Sequence, residues 1–110
     1  MSGVIGILRV DLHLPTAGSL KDKRRELRRI KAWMTQSHYA VAEVEHHDLW
    51  QRAGLVLATA SATAGDVGQR LDDASRRIHA DPVAVVVGEA RQLHSAPDLT
   101  EVSLSHLVDG

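Results

Sequence analysis

The pattern of apolar and polar positions predicts four strands. Residues 3–14 alternate with a period of two, which is typical of a strand that buries one face. Residues 38–46 alternate in the same way, whereas 53–61 form a mostly apolar run that suits a buried central strand. Residues 83–93, which contain three consecutive valines, are the fourth. The second face of the first strand carries Ile5, Ile7, Arg9, Asp11 and His13.

Apolar residues at helical spacing predict two helices, over residues 20–36 and 66–80. A good N-cap residue precedes each of them, Ser19 in the first case and Thr63 in the second. Lys23 falls within the apolar arc of the first helix, where its stem can pack while its ammonium reaches towards the sheet edge. The apolar stripe of the second helix comprises Val67, Leu71, Ala74 and Ile78.

The order of these elements, β-α-β-β-α-β, predicts an α+β fold. Two split βαβ units form a four-stranded antiparallel sheet with both helices on one face, the ferredoxin-like arrangement. Right-handed crossovers place the first and third strands in the centre. We expect a single domain over residues 1–94, followed by a flexible or loosely docked tail over 95–110, because the chain turns polar there.

Composition excludes several kinds of site. The 110 residues contain no cysteine, which excludes a disulfide scaffold, an iron–sulfur site and a thiol nucleophile. The chain has neither a phosphate-binding loop nor a dinucleotide fingerprint, so we expect no cofactor. No apolar stretch is long enough to span a membrane, and no basic segment precedes the first apolar run. We therefore expect a cytoplasmic protein.

The formal net charge of −1 conceals a strongly basic segment. Seven of the thirteen basic residues lie between Lys21 and Lys31 with only two acids, so this segment carries +5 and the remainder −6. Such a segment is either a solvated helix face, since Arg and Lys are good helix formers, or a contact surface for an anionic partner. The candidate contacts on one flank of the first helix are Lys21, Arg24, Arg25, Arg28 and Arg29.

A second concentration of polar residues follows the second strand, in the segment 43–52. Imidazoles and carboxylates can ligate a divalent metal or act as an acid–base pair. Adjacent His46 and His47 point to opposite sides of an extended chain, however, and cannot easily share one ion. We therefore expect no metal here. Instead Asp48, Arg52 and Lys23 should hold the link between the second and third strands against the first helix.

The tryptophans and the outer sheet face also bear on ligand binding. Trp33 and Trp50 could stack on a base, but we expect each to cover a core edge and to donate its N–H to a carbonyl.

The outer face lacks the aromatic ladder on which RNA-recognition domains of this fold stack bases. Ile5 and Ile7 instead predict an apolar patch, to be covered by a second subunit or by the C-terminal tail.

Three segments together resemble one family of small bacterial proteins. They are residues 4–15, Ser19-Leu-Lys-Asp-Lys-Arg24, and residues 42–52 with their Asp-Leu-Trp-Gln-Arg ending. Across about residues 3–94 the chain is similar to the YlxP-like family, a domain of unknown function. The resemblance implies a ferredoxin-like fold. Family genes lie in many bacteria beside genes for translation initiation and ribosome maturation, which implies a role near the ribosome or RNA. The resemblance implies no catalytic residues.

Three functional hypotheses follow. The first is a non-enzymatic RNA- or ribosome-associated module whose first helix neutralises phosphates without reading bases. The second is a homo-oligomeric regulatory or scaffold protein that uses the outer sheet face. The third is a metal-binding or enzymatic site centred on Glu45, His46, Asp48 and Arg52. Lys23 and Trp50 are further motif residues, with either a structural or a functional role. Salt-sensitive RNA binding, a concentration-dependent mass and metal analysis distinguish the three.

Overall fold

The computed structural model describes residues 3–95. Its strands and helices are, in chain order, β1 (Val4–His13), α1 (Leu20–Gln36), β2 (Ala40–Glu45), β3 (Arg52–Ser61), α2 (Ala64–His79) and β4 (Val85–Ser95). All neighbouring strands are antiparallel and their order is β2-β3-β1-β4, so β1 and β3 are central as predicted. The architecture is the ferredoxin-like α+β fold. Most of the expected tail, residues 96–110, lies outside the described residues.

Capping and turn contacts set the ends of the elements. The hydroxyl of Ser19 accepts the backbone N–H of Asp22 at 3.1 Å, and α1 has the predicted bounds. Thr63 caps α2 through the N–H of Asp66, so the helix begins at Ala64, two residues earlier than predicted. β4 begins two residues later than predicted, because the N–H groups of residues 83 and 84 donate to the Asp81 carboxylate in the preceding turn.

The core lies between one face of the sheet and the two helices. β1 and β3 contribute alternate residues, and α2 contributes the four residues of its predicted stripe. Gly6 lies directly beneath α2, where a Cβ atom would stand 3.0 Å from Leu71 Cδ1 and closer still to Val67, so the helix packs tightly on the sheet there. The largest fully buried side chains are Leu8, Val10, Leu12, Leu14, Ile30, Met34, Leu55, Leu57, Val67, Leu71 and Ile78.

The two tryptophans differ in their environments. Trp33 is buried at the edge of the core, and the Arg77 guanidinium lies 4.5 Å from its ring centroid. Trp50 is 53% exposed, so the prediction that it covers a core edge is wrong. Trp50 belongs to the connection between β2 and β3, which is anchored by its neighbour instead: Gln51 Nε2 donates to the carbonyls of Pro15 and Ala17 at 3.3 and 3.2 Å.

Among the described residues, no helix combines the length and apolar character needed to cross a membrane.

Candidate functional site

The basic residues of α1 divide between two edges of the helix. On one edge, Arg29 donates two hydrogen bonds to Asp81, at 2.7 and 2.9 Å, and a third to Glu26 at 3.1 Å. The hydrogen bond to Asp81 is the main cause that raises the pKa of Arg29 above its usual value. Arg25 lies 3.4 Å from the Asp22 carboxylate. Two of the four arginines proposed from the sequence as phosphate contacts, Arg25 and Arg29, are therefore already paired with carboxylates.

The opposite edge of α1 carries Lys21, Arg24, Arg28 and Lys31, spaced by three, four and three residues so that they form one stripe. Lys21, Arg24 and Arg28 are exposed and, within residues 3–95, make no salt bridge or side-chain hydrogen bond. This edge therefore presents cations that the fold does not neutralise.

A groove of about 210 Å³ separates this edge from β2. We call it the basic groove; it is lined by Arg24, Leu27, Arg28, Lys31 and Glu43. Its one carboxylate, Glu43, lies 3.9 Å from Lys31 Nζ. Lys31 was not among the contacts proposed from the sequence, although its position three residues after Arg28 and seven after Arg24 places it on the same stripe.

Lys23 joins α1 to the end of β2. It is 2% exposed, and its Nζ donates to the carbonyl of His46 at 2.5 Å and lies 3.4 Å from Glu43 Oε1. The structural role predicted for Lys23 is thus present. The predicted participation of Asp48 and Arg52 is wrong: Asp48 is exposed in the turn, and the buried Nε of Arg52 has no hydrogen-bond partner. Lys23 therefore contacts the His46 carbonyl and the Glu43 carboxylate, and not Asp48 as predicted.

A second polar site lies on the outer face of the sheet. Asp11, Glu45 and His46 offer potential metal ligands that all lie within 4.8 Å of one another. Arg9 Nη2 lies 2.7 Å from Glu45 Oε1 and 3.8 Å from Asp11 Oδ1. We call these four residues the outer polar cluster. His13 lies outside it, with its Nδ1 3.1 Å from the Gln51 carbonyl oxygen.

Glu45 and His46 were candidates from the sequence, whereas Asp11 was not predicted as their neighbour. The period-two pattern places Asp11 on the outer face of β1, which was the available signal. The strand register explains why Asp11 lies close to Glu45: Asp11 pairs with Gly54 of β3, and Gly54 in turn pairs with Glu45 of β2. This register brings two carboxylates from non-adjacent strands to opposite sides of a glycine.

At one end of the outer face, β1 and β3 carry an apolar strip, whereas the residues of β4 opposite Ile5 and Ile7 are the polar His94 and Gln92. Ile5 is 36% exposed and Ile7 is half-buried. Their partners across β3 are Ala60 and Ala58, which add further small apolar side chains to the same face. No Phe, Tyr or Trp pairs with β1 on this face within the described strands, although His94 of β4 stands opposite Ile5. The face therefore lacks a ladder of large aromatic side chains for base stacking.

Comparisons with known proteins add a family and a weak structural likeness. A family model described as "Protein of unknown function (DUF503)" matches residues 5–91. No curated protein matches the chain. A crystal structure of a variant of SnoaB, a cofactor-independent oxygenase from Streptomyces nogalater, aligns with a TM-score of 0.41 and 12% identity, covering 87% of this chain and 94% of that chain. This likeness carries no argument about activity.

Proposed function

The chain belongs to the DUF503 family of proteins of unknown function, and we propose that it is a non-enzymatic module that binds the phosphate backbone of RNA through the basic groove. One observation carries the proposal. Arg24 and Arg28 line a single groove with Lys31, and neither arginine has an acidic partner within residues 3–95. Cations that are free of carboxylates can release the counterions of a phosphate backbone when they bind it.

The geometry favours contact with phosphates rather than with bases. Arginine donates paired hydrogen bonds that match the oxygens of a phosphate group, and two arginines one helical turn apart can contact successive phosphates. Lys21 extends the stripe by a further turn towards the start of α1. The described strands carry no Phe, Tyr or Trp on which bases could stack in series. Because phosphate contacts carry no sequence information, this mode of binding would be largely independent of sequence.

The resemblance to the YlxP-like family favours ribosomal RNA as the natural partner, because genes of that family lie beside genes for ribosome maturation in many bacteria. The partner can be tested by isolating the native protein from lysate and measuring whether RNA or ribosomal particles accompany it. Release of these particles by nuclease would support the proposal. Co-purification that is insensitive to nuclease would indicate a protein partner instead.

The binding site can be tested with two variants of equal net charge. In the first, Arg24→Gln, Arg28→Gln and Lys31→Gln remove the cations of the basic groove. In the second, Arg25→Gln, Arg76→Gln and Arg91→Gln remove three exposed arginines that already lie in salt bridges. Fluorescence anisotropy with a labelled single-stranded RNA should show a loss of affinity for the first variant and little change for the second. Equal losses would indicate diffuse charge attraction without a site.

A second candidate function, self-association through the outer sheet face, rests on a different observation. The exposed Ile5 lies beside Ile7 and opposite Ala60, which together form an apolar area on a flat surface. A second copy related by a two-fold axis would present the same patch. Residues 96–110, which contain Leu104, Leu107 and Val108, are the alternative cover and lie outside the described residues.

Sedimentation equilibrium distinguishes these arrangements. A concentration-dependent dimer that Ile5→Lys abolishes, and that truncation after Ser95 leaves unchanged, would support contact between subunits. Association that appears only on truncation would indicate that residues 96–110 cover the face. A monomer in all three proteins would exclude the second candidate.

A further inference from the structure

One carboxylate oxygen in the outer polar cluster lacks a partner. Asp11 Oδ1 is buried and accepts no hydrogen bond. The Arg9 guanidinium lies 3.8 Å away, which is beyond hydrogen-bonding distance, and it is already bonded to Glu45 at 2.7 Å. The Asp11 side chain as a whole is 26% exposed, so its carboxylate is accessible from outside although Oδ1 has no donor. Leaving such an acceptor without a partner is costly. A positively charged ligand at Oδ1 would supply it.

Both strands beside β1 leave space for this carboxylate. Gly54 of β3 and Gly88 of β4 are the direct partners of Asp11 in the two ladders. A Cβ atom at Gly88 would stand 3.0 Å from Asp11 Oδ2, and one at Gly54 would stand 3.4 Å from Oδ1. A side chain at Gly88 would crowd the Asp11 carboxylate, and one at Gly54 would also stand 3.0 Å from Glu45 Cβ. The two glycines therefore leave both flanks of the carboxylate free of side chains.

His46 completes the set of ligands from the end of β2. Its φ of 63° turns the chain out of the strand at this residue. Its carbonyl is held by Lys23 Nζ at 2.5 Å and by the N–H of Leu49 at 3.1 Å, so the backbone that carries the imidazole is anchored on two sides. His46 Nε2 lies 3.7 Å from Glu45 Oε2, so the ring is on the side of the carboxylates.

We propose that Asp11, Glu45 and His46 bind a divalent transition-metal ion on the outer face of the sheet. Two carboxylates and one imidazole are ligands that suit Zn²⁺ and similar ions, whereas Ca²⁺ and Mg²⁺ prefer oxygen alone. The ion balances both carboxylates and gives Asp11 Oδ1 its partner. Arg9, whose side chain is 44% exposed, is free to move away from Glu45 as the ion enters. The site is separate from the basic groove, so metal binding can be tested independently of RNA binding.

The test uses the full chain without an affinity tag, freed of metal by a chelator. Calorimetric titration with Zn²⁺ should show one ion per chain, and titration with Co²⁺ should give visible absorption from a nitrogen- and oxygen-ligated ion. Asp11→Asn and His46→Gln should each weaken binding by about tenfold or more. Matched changes in the adjacent turn, Asp48→Asn and His47→Gln, should leave the affinity unchanged.

Gly88→Ala provides a further variant that alters no ligand. Its added methyl group stands against the Asp11 carboxylate and should also weaken binding of Zn²⁺. Circular dichroism identifies any variant that fails to fold, and the remaining variants then decide the outcome. Absence of one-to-one Zn²⁺ binding by the unmodified chain would overturn the proposal. Equal affinity in the ligand variants and the matched controls would assign the binding to surface histidines and would also overturn it.

Discussion

Arg29 and Asp81 join α1 to the turn between α2 and β4 through a bidentate pair. The guanidinium of Arg29, on α1, donates hydrogen bonds of 2.7 and 2.9 Å to the two oxygens of Asp81, in the turn before β4. The same carboxylate accepts the N–H groups of Val83 and Ala84 at 3.0 and 2.8 Å. Burial opposes ionisation of Asp81, but these donors outweigh it and hold its pKa below the usual value.

Asp81→Asn is expected to lower the free energy of unfolding at neutral pH by about 1–3 kcal/mol, because Arg29 and two backbone N–H groups lose a charged acceptor. A carboxylate whose pKa is depressed by folding contributes stability above its unfolded pKa of about 3.9, and this contribution is lost as the pH falls through the folded pKa. Urea denaturation across this range should therefore show a smaller acid-induced loss of stability in the variant. Parallel pH profiles for the two proteins would contradict the role of Asp81.

Lys23→Met tests the attachment of α1 to the end of β2. Methionine retains most of the buried stem but cannot donate to the His46 carbonyl or pair with Glu43. The expected cost is about 1–3 kcal/mol in the free energy of unfolding, as for other lost hydrogen bonds to a charged donor. Amide hydrogen exchange should also accelerate in residues 46–51. Lys21→Met, at an exposed position on the same helix, is the control and should change neither quantity.

Leu71→Ala tests the packing of α2 on the sheet. Leu71 is fully buried and lies over Gly6, where the helix approaches β1 closely. Removal of its side chain should cost about 2–5 kcal/mol, as in other large-to-small changes within a core. Urea denaturation should show this as a lower midpoint with an unchanged slope. A variant as stable as the original chain would mean that α2 does not pack as described.

The topology was predictable because the burial of one face of a strand or helix produces a repeating pattern of apolar residues within that element. The alternation around Leu8 and the stripe through Leu71 each depend on residues within one strand or helix, and both were identified correctly. The N-caps Ser19 and Thr63 act within three residues and were equally visible. Local periodicity and local capping are therefore sufficient for the element order in this chain.

The candidate sites depend on contacts between distant parts of the chain, which local patterns do not contain. Arg29 lies 52 residues from Asp81, so the helix alone could not show that this cation is already paired. The proximity of Asp11 to Glu45 follows from strand register across Gly54. Trp50 was misjudged because its exposure depends on how the connection between β2 and β3 leaves the sheet.

The salt dependence of RNA binding tests the central claim most directly. Affinity for single-stranded RNA should fall with salt by a log–log slope of roughly −0.7 per phosphate contact. Arg24→Gln, Arg28→Gln and Lys31→Gln together should flatten this slope by about two units while α1 stays helical, since glutamine has a similar helix propensity. The charge-matched changes Arg25→Gln, Arg76→Gln and Arg91→Gln should leave the slope nearly unchanged. Equal flattening by both sets, or no RNA binding at an ionic strength of about 0.15 M, would contradict a phosphate-binding site in the basic groove.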